Sequence, residues 1–183
     1  MPANPRTGQQ VKVPASLCER IYRFQLDPGR GLGESDCFPN VTASAGKLEL
    51  TVEEVSGSAV RLRLDGHANL HNPRAYLQNY QSPSVKQHSQ SQIPLDYQPR
   101  LLGYLTYDPA KKIVTRFAMV ALGDVRGRPV DENLSGERLG AANPLGIAFE
   151  LVADPKPADY LSPKGLRDGG DNYNLPRYLG LVK

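Results

Sequence analysis

The chain has no tryptophan, two cysteines and two methionines among its 183 residues, and its charges nearly balance. No stretch approaches the ~20 apolar residues that a membrane-spanning helix needs, and the opening residues lack the apolar centre of a secretory signal. A net charge of +3, from 22 Lys and Arg against 19 Asp and Glu, is too small to indicate the basic face of a nucleic-acid-binding protein. We therefore expect a soluble chain with no membrane span and no nucleic-acid partner.

Sequence signatures of catalysis are also missing. No serine stands in the G-x-S-x-G turn of hydrolases, and neither cysteine has a local nucleophile motif. One polar grouping lies near a predicted strand end, where Asp124 and Arg126 accompany His67 and His71. Capping of turn amides by the Asp124 carboxylate explains that grouping without chemistry. We expect a protein that is not an enzyme and needs no cofactor.

Glycine and proline are abundant, with 17 and 16 residues, and they favour short strands and turns over long helices. Residues 47–70 alternate apolar and polar side chains on both sides of a Ser-Gly-Ser turn at 56–58, which predicts an antiparallel hairpin. The side chains expected to face the core of this hairpin are Leu48, Leu50, Val52, Val60, Leu62 and Leu64.

A second hairpin is predicted within residues 99–127, where strands at 101–107 and 113–122 flank a polar break. Both strands are apolar on two faces, which indicates a central position or curvature around an interior. A final strand is expected at 144–153. The sequence thus predicts a mainly β fold, an antiparallel meander sheet or partial barrel of five to six strands. Its core would be filled by Leu64, Leu105, Phe117 and Phe149.

The segment from residue 11 to residue 26 has two interpretations. Ser16 followed by Glu19 matches a capping box and predicts a short helix. The alternation of side chains over 20–25 fits a strand instead. We favour the helix, which would cover an open end of the sheet with a face formed by Leu17, Ile21 and Phe24.

The domain organisation follows from composition. Residues 1–10 are a polar tail, and 11–154 form a single β-domain. Residues 72–98 within that domain are rich in Gln, Ser, Asn and Pro and predict a long loop. Residues 155–183 have no apolar period and predict a C-terminal extension.

The long loop and the extension together hold six of the nine tyrosines. Tyrosine and arginine are enriched at protein interfaces, so an uneven distribution of this kind predicts contacts with other protein subunits, in a homo- or hetero-oligomer. The alternative is that these side chains fasten the two segments to their own domain. The residues predicted to bind partners are Tyr76, Tyr80, Tyr97, Tyr160, Tyr173, Arg177 and Tyr178.

Two weaker features concern metal and redox chemistry. His67 and His71 are four residues apart on a predicted strand and would project to one face, where a cysteine could complete a zinc or copper site. Isolated surface histidines are the ordinary alternative. Cys18 and Cys37 form one disulfide if the compartment is oxidising, or they are two buried thiols.

Four segments also suggest a family. They are RIYRF from residue 20, LLGYLTYD from 101, TRFAMVALGD from 115 and PLGIAFEL from 144. This pattern, spanning about residues 11 to 153, resembles uncharacterised bacterial β-rich proteins that are often extracytoplasmic and have no assigned activity. The resemblance implies an exported β-domain. Three functions stay open at this point. The first is a non-catalytic structural or accessory subunit, and the second is a partial β-barrel that binds a small hydrophobic ligand. The third is a metal-binding protein or metal-dependent enzyme, which would require His67 and His71 to converge with a carboxylate or thiolate.

Overall fold

The computed structural model describes residues 1–2, 4–26, 28, 38, 40–75, 93–127 and 142–157, and these residues form mainly antiparallel sheet. The strands are β1 Gln10–Lys12, β2 Gly46–Ser56, β3 Ala59–Ala68, β4 Leu70–Ala75, β5 Ile93–Asp108, β6 Ile113–Arg126 and β7 Asn143–Glu150. The helix α1 Ala15–Arg20 continues into a π-helical turn, Ile21–Gln25, and a 3-10 turn, Ala43–Ala45, precedes β2. The predicted mainly β fold is confirmed. None of the helices in the described ranges is long and apolar enough to cross a membrane.

The sheet is a meander in which neighbours along the chain are neighbours in the sheet. Its order is β1-β2-β3-β5-β6-β7, and β4 pairs with β5. β3 pairs with the second half of β5 and β4 with the first half, so the seven strands occupy six positions. Among the described strands, the two edges β1 and β7 do not pair with each other. The sheet is therefore open rather than a closed barrel.

The first predicted hairpin is confirmed. Ser56 pairs with Ala59, which leaves a two-residue turn, and Leu50 pairs with Leu64 in the middle of the hairpin. The six side chains expected to face the core are all buried except Leu50, which is half-buried. A register shift next to Glu53 inserts one extra residue into β2 and bends the strand near the turn.

The second predicted hairpin is also confirmed, with strands longer than expected. Asp108 ends β5, and its Oδ1 accepts hydrogen bonds from the backbone N–H groups of Ala110 at 2.9 Å and Lys111 at 3.0 Å. This side-chain cap fixes the turn that the Asp-Pro sequence predicted.

The prediction of a loop over all of 72–98 is wrong at both ends. β4 extends to Ala75 and β5 begins at Ile93, and Leu70 pairs with Tyr97 between them. Apolar burial stabilises this pairing, because three of its side chains are fully buried: Leu70, Leu95 and Tyr97. The polar composition of the segment did not indicate this burial. Residues 76–92 lie outside the described structure.

The N-terminal helix is confirmed, but its cap and its buried face differ from the prediction. Pro14, rather than Ser16, occupies the N-cap, because the chain becomes helical from Ala15 onwards. Of the predicted face, Phe24 is buried and Ile21 packs half-buried against the core, but Leu17 is exposed. The other side chains of this segment that are buried are Cys18, Tyr22 and Leu26.

The core lies between this helical segment and one face of the sheet. Cys18, Tyr22 and Leu26 belong to the same apolar cluster as inward side chains of β2 to β7, including Leu64, Met119 and Ile147. A smaller cluster of Val52, Val60 and Leu62 lies nearer the first hairpin turn. Of the four predicted core residues Leu64 is buried, while three pack against these clusters half-buried: Leu105, Phe117 and Phe149.

Candidate interaction surface

The face of the sheet opposite α1, here called the outer face, exposes large apolar side chains. Leu102 is 51% exposed, Tyr104 40%, Val120 49% and Leu122 60%. Of the two arrangements predicted for these apolar strands, a central position or curvature around an interior, the first is observed, since β5 and β6 lie inside the sheet order. Among the described residues, only their inner face is covered. The sequence did carry the signal for this surface, namely two apolar faces on one strand pair.

The exposed apolar side chains are contiguous because strand pairing aligns them. Leu102 pairs with Val120, and Val120 with Ala148 on β7. Cross-strand neighbours of this kind lie about 5 Å apart, within van der Waals reach of each other's side chains. We call this the apolar patch, and its members are Leu102, Tyr104, Ala118, Val120, Leu122 and Ala148.

Charged side chains border the apolar patch on the β3 side. Arg63 Nε lies 2.6 Å from Asp65 Oδ2, and Arg61 Nε lies 3.4 Å from Glu53 Oε2. The Arg61 guanidinium also sits 5.0 Å from the centre of the Tyr104 ring. These pairs are exposed, so each stabilises the fold by only ~0–1 kcal/mol and remains available to a partner.

A groove of about 440 Å³ opens at one end of the outer face. It runs over β5 and β6 beside Tyr104, bordered by Arg61 on β3 and by Glu150 on β7, with Arg116 on β6. The groove lies on the solvent side of the sheet and not in the core. Its lining residues are Arg61, Tyr104, Thr106, Thr115, Arg116, Phe117, Ala118, Glu150, Leu151 and Ala153.

The other end of the outer face carries a polar cluster. His71 Nδ1 lies 2.6 Å from Asp96 Oδ1, and Asp96 pairs across the sheet with Arg126. Asp124 lines the same pocket, of about 200 Å³, as Asp96 and Arg126. The structure thus brings together three members of the predicted grouping and adds Asp96, which the prediction missed because it lay in the assumed loop.

His67 does not join that cluster. His67 pairs with Arg100 and His71 with Asp96, four residues apart along β5. At about 3.3 Å per residue the two histidine Cα atoms are separated by about 13 Å, too far to share one metal ion. Among the described side chains, no three from His, Cys, Asp and Glu are placed to hold a metal.

Cys18 lies under the sheet on α1 as a free thiol, and burial raises its pKa. A raised thiol pKa lowers the thiolate fraction and hence the reactivity. Cys37 lies outside the described residues, so the predicted pairing of the two cysteines is not described.

Of the residues predicted to bind partners, Tyr97 alone is described, and it is fully buried in the core. Its hydroxyl donates a hydrogen bond of 3.2 Å to the Leu145 carbonyl oxygen on β7. Burial raises the pKa of Tyr97 to about 12. The predicted partner contacts that lie outside the described residues are Tyr76, Tyr80, Tyr160, Tyr173, Arg177 and Tyr178.

Comparison with known proteins places no further constraint on the surface. No protein-family profile, no curated protein and no solved structure matches the chain. What the protein does must therefore be inferred from its own outer face.

Proposed function

We propose that the protein is a non-catalytic structural or accessory subunit that contacts partner proteins. The contact surface comprises the outer face together with two arms, which are the parts of the predicted loop 72–98 and of the predicted extension 155–183 that lie outside the described residues. The observation that supports this proposal is the apolar patch, four of whose large side chains are between 40% and 60% exposed. Contiguous exposed apolar surface of this kind marks interaction sites in monomeric chains.

The energetic argument rests on the layering of the sheet. A sheet with apolar side chains on both faces needs a second layer on each, and in the described residues only the inner face has one. Full burial of a Val or Leu side chain contributes about 1.5–3 kcal/mol, so a side chain that is half exposed still has about 1 kcal/mol to gain. Covering the four large side chains of the apolar patch would therefore contribute roughly 4 kcal/mol to association.

A second candidate function is the binding of a small hydrophobic ligand. The groove beside Tyr104 supports it, because its volume of about 440 Å³ exceeds the ~300 Å³ of the smallest ligand pockets. Arg61, Arg116 and Glu150 border the groove, so a ligand there would need polar groups as well as an apolar body. This candidate differs from the predicted partial barrel, whose ligand would lie inside.

The subunit role is tested with tagged full-length chain in an extract of the source cells. Wild-type chain is expected to enter a stoichiometric complex, and the double variant Leu102→Ser, Leu122→Ser to lose it. The matched control is Leu17→Ser, Val55→Ser, which removes two comparably exposed apolar side chains outside the patch. A wild-type chain that remains monomeric in the extract would contradict the proposal.

The arms are tested by deleting residues 159–183. We expect the thermal midpoint to stay nearly unchanged while the complex weakens. If the deletion instead unfolds the domain, the extension belongs to the protein's own core and is not a contact arm.

A further inference from the structure

The arrangement of charged and apolar side chains on the outer face indicates what covers it. Cα partners run across the sheet in rows, and one row consists of Arg63, Tyr104, Ala118 and Glu150 on β3, β5, β6 and β7. The basic Arg63, which also pairs with Asp65 on its own strand at 2.6 Å, thus stands at one side of the apolar patch, and the acidic Glu150 stands at the other. In a single chain these two charges are three strand spacings apart, about 14 Å, so they do not pair with each other.

A two-fold axis parallel to the strands, lying between β5 and β6, would bring such charges together. Rotation about it places β3 of one copy over β7 of the other and β5 over β6. Arg63 then faces Glu150 of the second copy, and the symmetric pair forms at the same time. Between them the large Tyr104 faces the small Ala118, as interdigitating layers require.

The next row of paired residues is also complementary to its own copy under this rotation. Asp65, Leu102, Val120 and Ala148 are consecutive Cα partners across the same four strands. The rotation sets Leu102 over Val120 in the centre, and Asp65 meets the neutral Ala148 rather than a like charge. In the adjoining row of His67, Arg100, Leu122 and Gly146, the rotation sets Arg100 over Leu122, so the purely apolar centre is confined to the first two rows. Within those two rows, charge complementarity at the rim and apolar contact at the centre are the arrangement expected of a specific interface.

The overlap of the two faces can be estimated from the strand order. Four strand positions, β3, β5, β6 and β7, at about 4.8 Å and seven residues at about 3.4 Å give an overlap of about 19 by 24 Å. This planar area of about 460 Å² corresponds to a larger accessible surface, near the lower end of standard interfaces at ~600 Å² per partner. Two twisted sheets can pack face to face about 10 Å apart with their strands aligned within about 30°.

We propose that the outer face binds a second copy of this chain, which gives a symmetric dimer with the two sheets packed face to face. The inference rests on the proposed function, because it takes the outer face as a protein contact surface. The same surface then has a defined partner, and the predicted arms stay free for other subunits.

The test is a charge exchange in purified full-length protein, with mass measured by sedimentation equilibrium over a range of concentrations. The wild type is expected to be a dimer with a dissociation constant at or below about 10 μM. Arg63→Glu and Glu150→Arg should each weaken it at least about tenfold, through like charges at the rim. The double variant should restore it, because both copies then carry reversed but complementary charges. Arg6→Glu, an exposed charge reversal in the N-terminal segment before β1, is the control.

Three results would contradict the proposed dimer. The first is a wild-type protein that is monomeric at about 100 μM, well above the expected dissociation constant, and the second is a double variant that dimerises no more tightly than the weaker single variant. The third is a full-length chain that is monomeric and dimerises only after residues 159–183 are deleted. The last would identify the chain's own C-terminal residues as the cover. If the chain is monomeric when purified but enters a complex in the extract, the dimer is contradicted and the proposed subunit function is not. If the chain is monomeric both when purified and in the extract, the proposed subunit function is contradicted as well.

Discussion

Two fully buried tyrosines provide a sharp test of the core, because they differ in one hydrogen bond. Tyr22 and Tyr97 are both 0% exposed. The Tyr97 hydroxyl donates to the Leu145 carbonyl oxygen, whereas the Tyr22 hydroxyl has no hydrogen-bond partner among the described residues. Replacing each tyrosine by phenylalanine removes the same atom from two different environments. The two variants should therefore change the free energy of unfolding in opposite directions.

The expected changes in the free energy of unfolding follow from the surroundings of the two hydroxyl groups. A hydrogen bond contributes about 0.5–1.5 kcal/mol, and at 3.2 Å the Tyr97 bond is long for a hydroxyl donor, so Tyr97→Phe should destabilise by about 0.5–1 kcal/mol. Burial of an unpaired hydroxyl costs about 1–3 kcal/mol, so Tyr22→Phe should stabilise by about 1 kcal/mol. The variants then differ by roughly 2 kcal/mol, equivalent to about 4–8 °C in thermal midpoint for a chain of this size.

Urea unfolding monitored by circular dichroism, with thermal unfolding as a second probe, measures the difference. Tyr107→Phe serves as the control, because that side chain is only half-buried and should change stability little. If Tyr22→Phe destabilises by 1 kcal/mol or more, its hydroxyl has a partner and the reasoning fails. If Tyr97→Phe is neutral, the bond to Leu145 contributes nothing.

Three further predictions concern pH, the core and the backbone. Burial raises the pKa of Tyr97 to about 12, above the ~10 of an unfolded chain, so stability should be full below pH ~10 and fall towards pH 12. Urea midpoints across that range should fall less in Tyr97→Phe, and an equal fall would contradict the assignment. Leu62→Ala should destabilise by ~2–5 kcal/mol and Val55→Ala, at an exposed position outside the apolar patch, by under about 0.5 kcal/mol, and similar losses for both would contradict the burial assigned to Leu62. Gly127→Ala should destabilise more than Gly8→Ala, because both glycines have positive φ but only the Cβ at 127 meets the Pro94 carbonyl, and equal losses would exclude that clash.

The hairpins were predictable because their information is local. Leu48 and Leu64 each belong to an alternating run next to a short polar turn, and such runs determine both the strand and its buried face. The β4–β5 pairing was not predictable in this way. Pro94 and Pro99 lie within β5, where proline removes a hydrogen-bond donor and argues against a strand. Pro99 is accommodated opposite Gly123, a partner far away in the sequence.

The candidate surface was likewise predictable only in the part that depends on local sequence. The apolar character of Leu102 and Val120 is evident in the sequence, but whether their face is covered depends on the position of every other segment. The sequence left a meander sheet and a partial barrel open, and the observed open sheet leaves this face uncovered among the described residues. The contact between His71 and Asp96 spans 25 residues and arises only when β4 pairs with β5, so no motif indicated it.

The meander order has a consequence for how the protein folds and how its length can vary. Each predicted hairpin closes through a short local turn, so both can form early and independently, as contacts of low sequence separation usually do. The long connection between Ala75 and Ile93 then joins them when β4 meets β5. Because a doubling of the number of residues between two paired strands adds only ~0.6 kcal/mol of closure entropy, the sheet should tolerate changes in the number of residues between Ala75 and Ile93. Insertion or deletion of one residue inside β5 would instead move every outward side chain beyond that point to the inner face.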